Sequence, residues 1–189
     1  MTTLSEIYDY YKVRIEEVIE FAYNGRGDLW TILMACSYID FLVKMVYDKE
    51  STAKDYKNFI KDYLSQIDIR YRDFRYTNGN KRDLPEQMYH VLRCGITHSH
   101  SLVPDSRSVA NGGRPRSIML GQRKNKNIHF MKYDQNGYDT VIFTVEDFAE
   151  DLKKVLDKIF LELAPKNSVL AGNIVSWVNK YPPVIGKNI

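Results

Sequence analysis

Two apolar stripes of helical period follow each other almost without a break from Leu4 to Val46, and they commit the chain to helix packing before anything else is read. Thr3 with Glu6 has the form of a capping box, after which Leu4, Ile7, Tyr11, Ile15, Val18, Ile19 and Ala22 keep helical spacing until Asn24-Gly25. Asp28 can cap a second stripe of Leu29, Ile32, Leu33, Cys36, Ile39, Val43 and Val46. Amphipathic helices of this length must bury their stripes against other elements, which points to a helical bundle.

Later segments extend the bundle and then interrupt it. Tyr56, Phe59, Ile60, Tyr63 and Leu64 mark a shorter helix, and residues 67–83 read as a loop with at most one helical turn. Asp83 as cap and Pro85 in the first turn open a fourth helix running to about Leu102, with Met88, Val91, Leu92, Gly95, Ile96 and Leu102 toward the core. Beyond Pro104 and Asn111-Gly112-Gly113 the period becomes extended: residues 117–120, 128–133 and 140–145 read as strands, with Asn136-Gly137 turning a hairpin. Thr144 with Asp147, then Asn167, start two closing helices. The expected fold is mainly α: a bundle of four to six helices in one domain over 1–181, with a small antiparallel β-hairpin or three-stranded insertion at about 115–145 and a tail at 182–189. At 189 residues the chain suits one ordinary domain.

Composition excludes several classes. No uncharged apolar run approaches the roughly 20 residues that span a bilayer, and the N-terminus lacks a basic segment followed by an apolar one, so no membrane helix or secretory signal is expected. Cys36 and Cys94 sit in apolar-periodic segments without metal-ligand spacing and read as reduced packing residues of a cytoplasmic protein. No glycine-rich phosphate loop is present, no cofactor or metal is implied, and Trp30 and Trp177 read as core.

Charge matters more by segment than in the net of +3. Residues 106–133 carry seven basic side chains (Arg107, Arg114, Arg116, Arg123, Lys124, Lys126, Lys132) and no acidic one, and Arg70, Arg72, Arg75, Lys81 and Arg82 form a second cluster. A basic field of this kind suits an RNA or DNA partner, while the alternative is a set of solvated loops.

The fourth helix holds the one cluster with chemistry in it: Arg93-Cys94-Gly95-Ile96-Thr97-His98-Ser99-His100, opened by Leu84-Pro85 and Tyr89. Here the chain resembles the HEPN superfamily (higher eukaryotes and prokaryotes nucleotide-binding), whose signature is an Arg followed after four to six residues by a His, late in a bundle helix. Arg93 with His98 fits the shorter spacing and Arg93 with His100 the longer; Arg123 with His129 also matches, but across a turn and a strand. The resemblance covers roughly residues 5–103 and 146–163. It departs at Cys94, where a polar residue is common.

The resemblance implies a metal-independent endoribonuclease built at a homodimer interface, a class that includes toxins and defence effectors with antitoxin partners. Arg93 and His98 would be catalytic, with His100 in reserve. Attack of a 2′-OH on phosphate needs a proton carrier near neutrality, which His supplies, and a fixed cation for the phosphorane, which Arg supplies. Asp40 supports them: in the apolar stripe of the second helix an unpaired carboxylate is costly, so it must hold Arg93, orient the His, or pair with Lys44 at i, i+4. Arg70, Arg72, Arg75, Arg82, Arg114, Arg116, Arg123, Lys124 and Lys126 would bind RNA. The alternative within the same fold is a non-catalytic RNA- or nucleotide-binding or dimeric interaction module.

Overall fold

The computed structural model describes residues 3–24, 28–74, 84–96, 102, 114–123, 128–135 and 137–182. Helix α1 (Leu4–Tyr23) starts at the capping box: the Thr3 hydroxyl accepts from the Glu6 amide at 3.2 Å, and the Thr3 amide donates to Glu6 Oε2 at 2.7 Å. Helix α2 (Asp28–Tyr47) is followed by α3 (Ala53–Asp62), whose own capping box joins Thr52 to Asp55. A 3-10 turn (Leu64–Gln66) leads into the single-turn helix α4 (Arg70–Asp73) within the stretch expected to loop.

Helix α5 (Leu84–Gln87) continues as a seven-residue π-helical segment (Met88–Cys94), and the chain remains helical through Gly95 and Ile96. The sequence reads as one α-helix here, but over Met88–Cys94 i→i+5 bonding widens the turn. Of the expected inward set, Met88, Val91, Leu92, Gly95 and Ile96 are buried, while Leu102 is partly buried against the core.

The insertion is a mixed sheet in the order β1-β3-β2, from β1 (Arg116–Gly121), β2 (Lys132–Gln135) and β3 (Tyr138–Thr144). β2 and β3 form the antiparallel hairpin signalled by Asn136-Gly137, with Gln135 opposite Tyr138 and Gly137 at φ +80°. β1 runs parallel to β3 and not antiparallel as expected, which places β3 in the centre with six consecutive buried positions. Burial on both faces is what a central strand between helices requires.

Strand β2 also starts later than its sequence period implied. Residues 128–131 form a turn, closed by the Met131 amide on the Ile128 carbonyl at 2.9 Å, with Phe130 in the left-handed region at φ +63°. A bulky residue there is strained, and surrounding contacts hold it: the Phe130 ring meets Tyr71 at 4.8 Å and Phe143 at 5.3 Å.

Helix α6 (Val145–Asp157) continues as a π-helical segment (Lys158–Leu163), and after a 3-10 turn (Ala164–Lys166) helix α7 (Ser168–Lys180) closes the fold. The expected Thr144 cap does not form. Thr144 is the last residue of β3 and fully buried, its amide donates to His129 Nδ1 at 2.9 Å, and its hydroxyl has no partner among the described residues.

Helix α2 organises the bundle by packing on α1, α6 and α7. Its composition and length would allow it to cross a membrane, but more than half of its most apolar window is buried inside the fold. Helix α7 is tied to its end: Asn173 donates to the Val46 carbonyl at 2.8 Å, while Ser176 and Lys180 both reach the Asp48 carboxylate. Trp177 is core as expected. Trp30 is not, being 65% exposed near the start of α2.

At the start of α7 the Asn167 side chain accepts from the amides of Val169 and Leu170, both at 3.1 Å. Asn167→Ala should therefore lower stability by about 1 kcal/mol, whereas Asn167→Gly should cost only a few tenths. Urea unfolding checks this, with a lower midpoint and an unchanged slope expected for the Ala variant.

Candidate functional site

Arg93 lies near the end of the π-helical segment, and its guanidinium crosses to α2, where Nε donates to Asp40 Oδ2 at 3.0 Å. The partner left open by the sequence is thus Arg93. Lys44 turns away to Glu50 at 2.7 Å and lies over the Trp177 ring. Asp40 is held from its other oxygen as well, since Ser51 Oγ donates to Oδ1 at 3.1 Å. Both members of the ion pair are about a quarter exposed, so the pair sits at the mouth of the helix contact, open enough to meet a ligand and dry enough to be directional.

Neighbouring residues extend a polar and aromatic face along the same helix. Arg93 lies over the Tyr89 ring at 5.7 Å, and Tyr89 packs edge-on against Tyr56 at 5.6 Å. One turn earlier, Glu86 accepts from Lys57 at 2.7 Å and meets His90 Nε2 at 2.9 Å. Burial opposes the Glu86 charge, but the Lys57 and His90 contacts outweigh it and hold the carboxyl below its ordinary range. Cys94 is a free thiol, half-buried, and adjoins both Arg93 and Tyr89. Arg93 thus belongs to a packed array in which Asp40 and Tyr89 limit its rotamers, which is how a functional cation is kept in place. His98 and His100 lie outside the described residues.

The basic residues expected to bind RNA are distributed differently from their linear order. Arg75, Arg82, Lys124 and Lys126 lie outside the described residues. Arg116 is corrected outright: it opens β1, opposite Asp139 in the register, and is fully buried, so it cannot touch a nucleic acid. The other four are exposed to a third or more but each has a carboxylate beside it. Arg70 pairs with Asp68 at 2.6 Å, Arg72 with Asp73 at 3.1 Å, and Arg114 approaches Asp139 at 3.8 Å. Arg123 meets Asp147 at 2.6 Å and Glu150 at 2.8 Å, and also contacts the Tyr23 hydroxyl. Within the basic stretch 106–133, the charge of Arg123 is therefore offset by carboxylates of α6.

The second Arg and His match separates into two roles. Arg123 is clamped on α6, while His129 is buried, its Nδ1 accepting from the Thr144 amide. Neither reading of the linear charge pattern anticipated that His129 would be an interior residue. Its position next to the strained Phe130 is a property of the turn, which a strand-like period conceals.

Two measurements follow. A double-mutant cycle with Asp40→Ala and Arg93→Ala should give a coupling of roughly 1 kcal/mol, as expected for a charge-assisted bond that is partly screened by solvent. A coupling near zero would remove Asp40 as the anchor of Arg93. Burial lowers the His129 pKa from its ordinary value to about 4. The unfolded chain takes up the proton first, so the stability held by neutral His129 is full above pH 6.5 and is lost as pH falls toward 4. Between pH 7 and pH 5 the wild type should lose about 2 kcal/mol more than His129→Gln, read from urea unfolding at the two pH values.

No family model, no curated protein and no solved structure matches this chain.

Proposed function

We propose that this protein is a HEPN-like, metal-independent endoribonuclease that acts at a homodimer interface, with Arg93 and His98 as its catalytic residues and Asp40 as the positioning residue for Arg93. The observation that carries the reading is the Asp40–Arg93 pair. The one cationic member of the motif is held by a carboxylate from another helix at a partly open surface, with an aromatic ring beneath it. A guanidinium fixed through Nε can present its terminal N–H groups as a fork toward phosphate oxygens.

In this mechanism His98 of one protomer takes the proton of the RNA 2′-OH as its oxygen attacks the adjacent phosphorus. Arg93 stabilises the charge that develops on the non-bridging oxygens, and the partner subunit's His98 protonates the departing 5′-oxygen. The products are a 2′,3′-cyclic phosphate and a 5′-hydroxyl. A single chain supplies one proton carrier from this motif and the reaction uses two, so a twofold interface completes the site. His100 is the reserve proton carrier. Arg70, Arg72, Arg114 and Arg123, each already beside a carboxylate, steer RNA weakly and form the rim of the cleft. A cytoplasmic location and an antitoxin-like partner are further parts of this proposal. A non-catalytic RNA-binding module is the second reading, favoured by Cys94 in the position where a polar residue is common.

Purified protein incubated with a mixed RNA pool in chelator should cleave RNA, and Arg93→Ala and His98→Ala should each lower the rate by at least about a hundredfold. Asp40→Asn should act less severely and mainly on kcat, because it loosens Arg93 without removing it. Light scattering at micromolar concentration should give twice the 22.1 kDa chain mass. RNA binding that falls with salt but yields no cleavage selects the second reading, and a monomer removes the catalytic one.

A further inference from the structure

Away from Arg93, a cleft of about 370 Å³ opens where α4, the turn before β2 and α6 meet, and the side chains that line it are Asp68, Arg70, His129, Asp147, Asp151 and Lys154. They are graded by depth. His129 and Asp151 form the floor, each at least nine-tenths buried, whereas the side chains of Arg70 and Lys154 are more than half exposed at the mouth.

The floor holds one unsatisfied donor. His129 Nδ1 accepts from the Thr144 amide, so the neutral ring carries its proton on Nε2. That Nε2–H has no hydrogen-bond partner among the described residues, and Asp151 Oδ2 stands 4.0 Å away, too far to accept from it. Asp151 is otherwise fixed: Lys154 donates to Oδ1 at 2.9 Å and the buried Tyr71 hydroxyl to Oδ2 at 3.1 Å. A buried donor without a partner is costly, and here the strained backbone of Phe130 holds it in place.

The chemistry of the floor is selective. A metal ion cannot use Nε2, because that nitrogen bears the proton. A plain anion would meet the Asp151 carboxylate, and a plain cation would meet the N–H. What fits is a planar group with an acceptor and a donor side by side, accepting from Nε2–H and donating to Oδ2, as the edge of a nucleobase does. At the mouth, Arg70 uses Nε and Nη2 on Asp68 and Nη1 on the His129 carbonyl, and Lys154 uses one donor on Asp151, so each has further N–H groups for an anionic group attached to that ring.

We propose that this cleft binds a nucleotide, its base edge against His129 and Asp151 and its phosphate between Arg70 and Lys154. A free nucleoside monophosphate and a nucleotide within a single RNA strand present the same chemistry. Of the residues named for the ribonuclease reading this site uses only Arg70, and it does not rest on that reading.

Calorimetric titration of the full chain in chelator with AMP, GMP, CMP and UMP, the matching nucleosides, inorganic phosphate and a short single-stranded RNA tests it. At least one monophosphate should bind saturably at one site per chain, about tenfold more tightly than its nucleoside. Inorganic phosphate alone should not compete at the same concentration. Lys154→Ala, a change at an exposed side chain, should remove that tenfold advantage of the monophosphate over its nucleoside. The His129 imidazole nitrogen resonances should shift on nucleotide addition. Arg93→Ala should bind as wild type does, which separates this site from any loss of cleavage. Tighter binding of the short RNA than of any monophosphate assigns the site to a strand, and the reverse assigns it to a free nucleotide. The proposal is overturned if no monophosphate binds at millimolar concentration, if inorganic phosphate competes equally, or if Lys154→Ala leaves the nucleotide advantage intact.

Discussion

Helix α2 is apolar around most of its circumference, and the rest of the bundle is arranged to enclose it. Ten of its side chains are buried, among them Ile32, Ile39, Leu42, Val43 and Met45 with no exposure at all. Each such large aliphatic side chain contributes roughly 2 kcal/mol when removed from water, so the helix is stable only with α1, α6 and α7 packed around it. The same enclosure makes Asp40 exceptional. A carboxylate on so apolar a helix must have a partner, and the partner it has is Arg93, carried in from α5 on a widened turn. The candidate site is in this sense a by-product of how the core helix satisfies its one central charge.

The sheet is joined to the bundle by aromatic packing and by a small number of directed bonds. Phe143 lies edge-on to Phe148 at 5.4 Å, Tyr71 meets Phe130, and the Tyr71 hydroxyl reaches Asp151 on α6. Gln87 of α5 donates to the Ser117 carbonyl of β1 at 2.6 Å, linking the helix that carries Arg93 to the edge of the sheet. His129 belongs to this seam. Its ring packs on Phe143 and its Nδ1 takes the amide at the end of β3, which leaves the opposite nitrogen without a bond among the described residues. One seam therefore provides both cohesion and the polar floor of a cleft.

Charge shows most clearly how far linear order misleads. Counted by segment, residues 106–133 are basic and 144–163 acidic, which suggests separate surfaces. Folding brings Arg123 onto Asp147 and Glu150 of α6 and buries Arg116 at the start of β1. Net charge is unchanged by this pairing, but the field around Arg123 that would attract phosphate is reduced, because opposite charges a few ångströms apart largely cancel at longer range.

The helices, their stripes and most of their boundaries were legible in the chain itself, because helical periodicity and capping are local properties: Thr3 with Glu6, Asn167, and the inward set from Met88 to Ile96 all stand where local rules put them. Arg93 was legible for the same reason, as a polar residue late in the fourth helical segment. What the tertiary structure alone decided are the relations between distant residues. Asp40 had two available partners in Lys44 and Arg93, and packing chose between them; β1 had two possible directions, and its pairing with β3 made it parallel. The turn that hides His129, the π-helical widening before Arg93 and the exposure of Trp30 likewise have no local signature. Each depends on which surfaces meet, and that is settled by burial and pairing across the fold, over separations that a sequence period does not encode.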